Sequence, residues 1–220
     1  MNFDNTQALH RRRRLESIFF DLDGTLADTA LDFSELRRRL RFESPTAPIL
    51  ETIKNWPETQ REWAGSVIHE FELEGAARAR IYDGVYAFLD FALRSGLNLG
   101  VFTRNSRLVT DRILKSLQIP IQNVITRDDA EPKPHPEGLL RLMQLTGSTP
   151  DTTLYVGDYL YDLEAGQAAG VPTALFLSSS IDIHSAPMGA KTAEALLSSA
   201  LFQFSGFDEL QPQLQRHFCI

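Results

Sequence analysis

The chain has 220 residues, of which 43% are hydrophobic and 23% are charged, and its net charge is −7 at neutral pH. These values are typical of one globular domain with a small insert, and they exclude a disordered or disulfide-stapled chain. The acidic balance argues against a dedicated nucleic-acid-binding protein, which needs a net basic surface. No apolar run approaches the roughly 20 residues of a bilayer span, so we expect no membrane partner. The single cysteine, Cys219, favours a reducing compartment, so we expect a cytoplasmic protein.

Short apolar segments of strand length recur along the chain. The predicted strands are Ser17–Phe20, Leu97–Thr103, Val124–Thr126, Thr153–Gly157 and Thr173–Leu177. Segments with helical periodicity separate the later strands, at Arg107–Leu117, Pro136–Thr146 and Leu160–Ala169. This alternation predicts an α/β fold, a three-layer Rossmann-like core in which helices cover both faces of a parallel sheet.

Residues 29–79 interrupt the alternation and contain no strand-like segment. Amphipathic stretches broken by Pro45, Pro48 and Pro57 predict a small helical domain inserted after the first strand. We therefore expect a core domain formed by residues 1–28 and 80–220, and a separate helical domain at residues 29–79.

The remaining segments of the core are predicted from weaker patterns. A helix from Val85 to Gly96 follows the insert, and Gly96 is a plausible residue to end it. After Leu177 we predict a loop over residues 178–189 and two terminal helices, at Ala193–Ser199 and Phe207–His217.

The first predicted strand leads directly into Asp21 and Asp23, which are followed by Gly24. Carboxylates two residues apart on an extended chain project to the same side, roughly 7 Å apart. Gly24 permits a sharp turn that can direct backbone N–H groups toward an anion. A calcium loop is excluded, because its first and last positions would be Phe19 and Ala30. Two carboxylates after a buried strand need a cation or hydrogen bonds, which favours a functional site over a simple Asp-Gly turn.

Polar residues also follow the later strands. Thr103, Arg104 and Asn105 follow the second strand, although threonine often ends a strand. Prolines on both sides of Lys133 stiffen that segment and place the lysine just before a helix, where it suits a phosphoryl oxygen. An exposed proline-rich loop is the alternative for this segment taken alone.

Asp158 and Asp162 form the last polar motif, at the end of the strand Thr153–Gly157. With a helical turn between them, both side chains can point the same way. This arrangement is typical of a Mg²⁺ site, although acidic residues that complement a helix dipole are an alternative. Because ligands bind at the carboxyl edge of a parallel sheet, we expect all four motifs to meet there.

In this order, the motifs D-x-D-G-T-L, T-R-N, K-P-x-P and G-D-x-x-x-D resemble those of the haloacid dehalogenase-type hydrolase superfamily. The resemblance runs from about Ser17 to Leu177 and is strongest to small phosphatases of the phosphoglycolate phosphatase-like group. The insert at residues 29–79 matches the position of that family's helical cap. The first and last motifs are specific, and the order and spacing of the middle two reinforce them.

The resemblance implies a Mg²⁺-dependent phosphomonoesterase acting on a small phosphate ester. Asp21 would be the nucleophile that forms an aspartyl-phosphate, and Asp23 the general acid and then the general base. The residues implied to bind the phosphate or the rest of the substrate are Gly24, Thr103, Arg104, Asn105 and Lys133. The metal residues would be Asp21, Asp23 through its backbone carbonyl, Asp158 and Asp162, the last orienting the metal's waters or Lys133.

Four alternatives are considered for the same sequence features. A phosphomutase would transfer the phosphoryl group to a sugar phosphate instead of water, and a phosphonate hydrolase would need a Schiff-base lysine, for which Lys54 is the only candidate in the insert. A dehalogenase has no use for Asp23. A catalytically silent binding protein is the alternative of another class, although no motif position is substituted. We further expect the cap to open and close about hinges near residues 27–29 and 81–84.

Overall fold

The protein is described by a computed structural model that covers residues 13–178, 194–195 and 197–220. Apart from Ser178, the predicted loop at residues 178–189 lies outside the described residues. Part of the predicted helix Ala193–Ser199 also lies outside them, so neither prediction is assessed in full.

Ten strands, eight α-helices and one short 3₁₀ helix (Pro150–Thr152) are defined in the described parts of the chain. The strands are β1 (Arg13–Arg14), β2 (Ser17–Phe20), β3 (Ala27–Asp28), β4 (Arg80–Ile81), β5 (Asn98–Phe102), β6 (Asn123–Ile125), β7 (Thr153–Gly157), β8 (Thr173–Phe176), β9 (Phe202–Phe204) and β10 (Phe218–Cys219). The helices are α1 (Phe33–Arg39), α2 (Ile49–Ile53), α3 (Glu58–Arg78), α4 (Val85–Arg94), α5 (Arg107–Ser116), α6 (Glu137–Thr146), α7 (Leu160–Ala169) and α8 (Phe207–His217).

A six-stranded parallel sheet forms the centre of the core, in the order β6–β5–β2–β7–β8–β9. Strand β2 lies between β5 and β7, and all four of its residues are buried. Such continuous burial explains why the strand is apolar on both faces, as expected for a sheet covered by helices on both sides. The α/β fold predicted from the sequence is confirmed.

Alternate residues of β2 face two different hydrophobic clusters. Ile18 and Phe20 pack in a large cluster with residues of α4, α5 and α8, whereas Phe19 packs in a second cluster with residues of α6 and α7. The two clusters are the two interlayer cores of a three-layer fold, and they hold the central strands rigidly.

The segment between β3 and β4 contains helices α1, α2 and α3, which share a hydrophobic cluster of their own. Its buried members are Leu36, Leu40, Ile49, Ile53, Ala64, Ile68 and Phe71. Asp32 caps α1 by accepting hydrogen bonds from the backbone N–H groups of Ser34 and Glu35. We call α1–α3 the cap. Strands β3 and β4 pair antiparallel at the two connections between cap and core.

Several short strands were not expected from the sequence. Strand β1, in a segment that has no apolar pattern, pairs in parallel with β10, and β9 extends the main sheet next to β8. Strands of two or three residues are too short to show a period of two, which explains why β1, β3, β4, β9 and β10 escaped prediction. The helix predicted at Phe207–His217 is confirmed as α8. None of the helices in the described segments is long and apolar enough to cross a bilayer.

Candidate active site

The polar motifs lie at the carboxyl edge of the three central strands. Asp21 directly follows β2, Thr103 follows β5, and Asp158 follows β7. Lys133 reaches the same place from the loop between β6 and α6. This edge is where open parallel sheets bind ligands, because the loops there leave a crevice above the strands.

Lys133 lies at the centre of the cluster. Its Nζ is 2.7 Å from Asp21 Oδ1 and 2.7 Å from Asp162 Oδ1, and its side chain is only 2% exposed. The ammonium group also lies 5.6 Å from the ring centre of Phe102 and 5.9 Å from that of Tyr155. Burial opposes the charge of Lys133, but the two carboxylates outweigh burial and raise the pKa of the lysine. The lysine is therefore a fixed positive charge.

Asp162 is held by four hydrogen bonds. Its Oδ1 accepts from Lys133 Nζ and from the Tyr155 hydroxyl, each at 2.7 Å. Its Oδ2 accepts from the backbone N–H groups of Asp158, at 3.2 Å, and Tyr159, at 3.0 Å. With both oxygens held, this carboxylate has a fixed orientation at the start of α7.

Three carboxylates crowd together beside the lysine. Asp21, Asp158 and Asp162 each present an oxygen atom, and these atoms lie within 4.8 Å of one another. Burial raises the pKa of Asp21 to about 6, and burial together with the charges of Asp21 and Asp162 raises that of Asp158 well above its ordinary value. A divalent cation would offset this repulsion. Carboxylate oxygens are the donors that Mg²⁺ prefers, so the residues present fit such an ion.

Asp23 is not among the three grouped carboxylates and contacts the segment that leads into the cap. Its carboxylate accepts a hydrogen bond from the hydroxyl of Thr29. Burial, with a smaller contribution from the charge of Asp21, raises the pKa of Asp23 to about 7, although the Thr29 bond opposes this shift. A carboxyl group with this pKa can carry or release a proton near neutral pH.

Gly24 is required by its proximity to Asp158. Its φ is +86°, and a Cβ atom there would overlap Asp158 Oδ2 and lie 2.8 Å from Asp158 Cγ. The next residue, Thr25, donates its hydroxyl to Asp158 Oδ1 at 3.2 Å. The turn after β2 therefore buttresses the carboxylate that follows β7, in addition to placing Asp23.

The three polar residues after β5 have different environments. Thr103 is buried, and its Oγ1 accepts a hydrogen bond from the Asn105 N–H at 3.2 Å. The side-chain Nδ2 of Asn105 is buried and finds no hydrogen-bond partner among the described residues. Arg104 turns toward the cap: it donates to Glu51 Oε2 at 3.1 Å and to the Lys133 carbonyl, and it lies 4.6 Å above the Tyr161 ring.

Cap and core are joined by ion pairs around this edge. Arg104 pairs with Glu51 of α2, and Arg127 makes a two-pronged contact with Glu72 of α3, whose side chain is 8% exposed. Lys54 lies 3.2 Å from Glu131 with its side chain 72% exposed. A lysine in this surface position does not fit the buried Schiff-base role that a phosphonate hydrolase would need.

Sequence reasoning missed several residues of the site. Glu51 and Tyr161 carried no sequence signal, because their contacts with Arg104 join distant segments. Thr25 belongs to the D-x-D-G-T-L motif, but the motif does not indicate its contact with Asp158. Thr29, which contacts Asp23, also carried no signal. Tyr155 had a signal: a tyrosine within a predicted buried strand must find a partner for its hydroxyl. That partner is Asp162.

The protein has a three-layer α/β core with a parallel sheet, a helical cap, and a cluster of a lysine and carboxylates at the carboxyl edge of that sheet. This combination is typical of Rossmann-like hydrolases. Residues 18–176 match the model of the haloacid dehalogenase-like hydrolase family, and the chain belongs to that family.

Curated relatives include several enzymes of this family. A pyrophosphatase, PpaX, from Bacillus velezensis is 32% identical over 181 residues, which are 74% of this chain and 83% of the relative. A phosphoglycolate phosphatase from Pseudomonas putida is 28% identical over 180 residues, 70% of this chain and 66% of the relative.

Solved structures show the same fold at lower identity. A hydrolase from Pseudomonas syringae aligns with a TM-score of 0.70 and 19% identity, covering 93% of this chain and 100% of that one. A HAD family hydrolase from Deinococcus radiodurans, solved with bound phosphate and sodium, aligns with a TM-score of 0.67 and 16% identity, covering 93% and 97%.

Proposed function

We propose that this protein is a Mg²⁺-dependent phosphatase that hydrolyses a small phosphate monoester through an aspartyl-phosphate on Asp21. One observation carries the proposal: Lys133 Nζ lies 2.7 Å from both Asp21 and Asp162, within the cluster of carboxylates that also includes Asp158. The relatives named as phosphatases support the reaction class.

In the first half-reaction, a carboxylate oxygen of Asp21 attacks the phosphorus in line with the leaving oxygen. The bond from phosphorus to the alcohol oxygen breaks as the bond to Asp21 forms, and protonated Asp23 gives its proton to the leaving oxygen. Lys133 uses two of its three N–H donors on Asp21 and Asp162, so the third can bind a phosphoryl oxygen. Thr103, which is buried at the same edge, would hold another phosphoryl oxygen.

In the second half-reaction, water attacks the phosphorus of the aspartyl-phosphate. Asp23, now ionised, accepts a proton from this water, and the bond between phosphorus and Asp21 breaks. Inorganic phosphate leaves, Asp21 is again a carboxylate, and Asp23 again carries its proton. Asp23 can serve in both directions because burial raises its pKa to about 7, so that it can both release and accept a proton near neutral pH.

Mg²⁺ would be held by Asp21, the backbone carbonyl of Asp23 and Asp158, with Asp162 behind them. When bound, the ion offsets the repulsion between the anionic nucleophile and the anionic substrate. Thr25 and Gly24 serve this arrangement by fixing Asp158, the first through its hydroxyl and the second by leaving room for the carboxylate.

The decisive experiment measures the release of inorganic phosphate from a generic aryl phosphate. The wild-type chain and Asp21→Asn are compared, each with and without Mg²⁺. We expect kcat to fall at least about 1,000-fold in Asp21→Asn. Asp111→Asn is the matched control, because Asp111 is an exposed aspartate on α5 whose contact with Arg107 is 3.7 Å long. Equal rates for wild type and Asp21→Asn would show that Asp21 is not the nucleophile. A panel of phosphorylated metabolites, ranked by kcat/KM, would then identify the substrate.

A further inference from the structure

Tyr155 is a fully buried residue of β7 with a polar atom that needs a partner. Its side chain is 0% exposed and packs in the same cluster as Phe19 and Phe102. Its hydroxyl lies 2.7 Å from Asp162 Oδ1 and 3.4 Å from the Phe102 carbonyl oxygen. Since a hydroxyl has one proton, the shorter contact, to the carboxylate, is the principal hydrogen bond.

We propose that Tyr155 is a positioning residue: its hydroxyl shares Asp162 Oδ1 with Lys133 and so sets how closely Asp162 holds the lysine. The role in catalysis rests on the proposed phosphatase function. The placement of Lys133 itself does not depend on that function, so it is tested separately.

The argument depends on the two donors of Asp162 Oδ1. Lys133 Nζ and the Tyr155 hydroxyl each lie 2.7 Å from this single oxygen. If the hydroxyl is removed, Lys133 becomes the only side-chain donor to that oxygen, and the attraction between lysine and Asp162 increases. Backbone N–H groups hold Asp162 Oδ2, so the carboxylate cannot turn to find another donor.

A stronger attraction to Asp162 draws Lys133 away from Asp21. The lysine lies 2.7 Å from Asp21 Oδ1, on the side where a phosphoryl group would be attacked. A displacement in the direction of Asp162 weakens the contact of the ammonium with the nucleophile and with the reacting phosphoryl oxygens. Such a loss affects the transition state more than substrate binding, and therefore lowers kcat more than it changes KM.

The ring of Tyr155 has a separate role from its hydroxyl. Together with Phe102, it lines the space around the lysine at 5.9 Å and 5.6 Å from Nζ. Tyr155→Phe keeps the ring and the packing of the cluster and removes only the hydroxyl. The substitution therefore isolates the positioning effect.

Kinetics of Tyr155→Phe give the first test. We expect kcat on an aryl phosphate to fall about five- to tenfold, with KM within about twofold of the wild-type value. Tyr86→Phe is the matched control, because Tyr86 also donates its hydroxyl to one acceptor, the Leu117 carbonyl, at an exposed position remote from the site. Its kcat should equal that of the wild type.

A double-mutant cycle separates positioning from general destabilisation. If Tyr155 acts through Asp162, then Tyr155→Phe should have no further effect on kcat in an Asp162→Asn background. A structural role of the hydroxyl would instead lower activity by the same factor in both backgrounds, and that result would overturn the proposal.

The second test observes the lysine without any turnover. The ¹⁵N signal of the Lys133 ammonium is one of four lysine signals, the others being Lys54, Lys115 and Lys191, and a Lys133→Arg spectrum assigns it. We expect Tyr155→Phe to shift this signal and Tyr86→Phe to leave it unchanged. If Tyr155→Phe does not fold, 3-fluorotyrosine at position 155, which is a stronger donor, should shift the signal in the opposite direction.

The positioning role of Tyr155 and the proposed phosphatase function can fail independently of each other. If the wild-type chain hydrolyses no phosphate ester, the proposed function fails and the shift of the Lys133 signal alone decides the inference. An unchanged Lys133 signal in Tyr155→Phe, or in the fluorinated protein, overturns the positioning role, whatever the effect on kcat.

Discussion

Lys133 and Asp162 form an ion pair of 2.7 Å in which the lysine side chain is 2% exposed and the aspartate side chain 1%. Neither group can recover its hydration if the other is lost, because both are enclosed by the layers of the core. The pair therefore links the proposed active site to folding: the same ammonium that contacts Asp21, the proposed nucleophile, also neutralises a buried carboxylate at the start of α7.

Removal of the lysine should destabilise the fold as well as abolish activity. For Lys133→Ala we expect the free energy of unfolding to fall by about 3–5 kcal/mol, because two buried carboxylates lose their shared cation. Urea unfolding measures this loss. Lys54→Ala is the control: Lys54 also pairs with a glutamate, at 3.2 Å, but its side chain is 72% exposed, so the cost should stay below about 1 kcal/mol. If Lys133→Ala and Lys54→Ala lowered the free energy of unfolding equally, burial would not be the reason that the Lys133 ion pairs stabilise the fold.

The lack of space for a side chain at Gly24 leads to a prediction about activity. Gly24→Ala should lose phosphatase activity, because the added Cβ overlaps the carboxylate of Asp158 and displaces a residue of the proposed metal site. Gly96→Ala is the matched control, since Gly96 also has a positive φ, +74°, but nothing lies within 4 Å of the added Cβ. Both variants should lose about 1 kcal/mol of stability through backbone strain, and Gly24→Ala should lose more because of the overlap with Asp158, as measured by urea unfolding. Only Gly24→Ala should be inactive in the aryl phosphate assay, and an active Gly24→Ala would refute the steric argument.

The sequence was sufficient to predict the core of the site because Asp21, Thr103 and Asp158 each directly follow a strand. Asp21 and Asp158 needed only the order of parallel strands to be placed together, and Lys133 needed only the rigid loop before α6. The central strands were predictable for the same reason, since complete burial produces an unbroken apolar run.

Contacts between distant segments were beyond the reach of sequence patterns. The resemblance implies that Arg104 binds the substrate, but nothing in the sequence indicates that its guanidinium contacts Glu51 and the Tyr161 ring. Glu72 stands in the long helix α3, where a charged residue normally indicates a solvated position, but here it is buried against Arg127. These pairings depend on how the cap packs on the core, and no local period encodes that packing.

The contact between Glu72 and Arg127 predicts how the cap is held. Among the described residues, the Glu72–Arg127 pair is the most buried of the ion pairs between cap and core. Glu72→Gln removes the charge from this pair, so we expect faster hydrogen exchange in β3, β4 and the cap helices. Glu74→Gln is the control, because Glu74 pairs with Arg39 inside the cap. Exchange measured by mass spectrometry should change only in the first variant. If both variants exchange like the wild type, this ion pair does not restrain the cap.

Ligand binding should have the opposite effect on the same segments. We expect Mg²⁺ together with a phosphate mimic to slow hydrogen exchange in the cap and at the paired strands β3 and β4, because closure of the cap protects their backbone N–H groups. Asp21→Asn with the same ligands reports whether protection requires an intact site. Equal exchange of the wild type with and without ligand would argue against a closing cap.

Asp129, in the loop after β6, is expected to make the stability of the protein depend on pH. Burial opposes the ionisation of Asp129, but hydrogen bonds from the Thr126 hydroxyl and amide, at 2.6 and 2.8 Å, and the nearby Arg107 outweigh it and lower the pKa of Asp129 below its ordinary 3.8. A carboxyl group with a lowered pKa in the folded state stabilises the protein above its unfolded pKa, and the contribution is lost as the pH falls through the folded pKa. Asp129→Asn should therefore cost about 1 kcal/mol at pH 6 and progressively less below pH 4. Urea unfolding of wild type and Asp129→Asn from pH 6 to below pH 4 measures this difference in stability. Asp111→Asn is the control, because Asp111 is exposed and lies 3.7 Å from Arg107, and its stability should change little across the range. A cost for Asp129→Asn that grows on acidification would show that the sign is wrong.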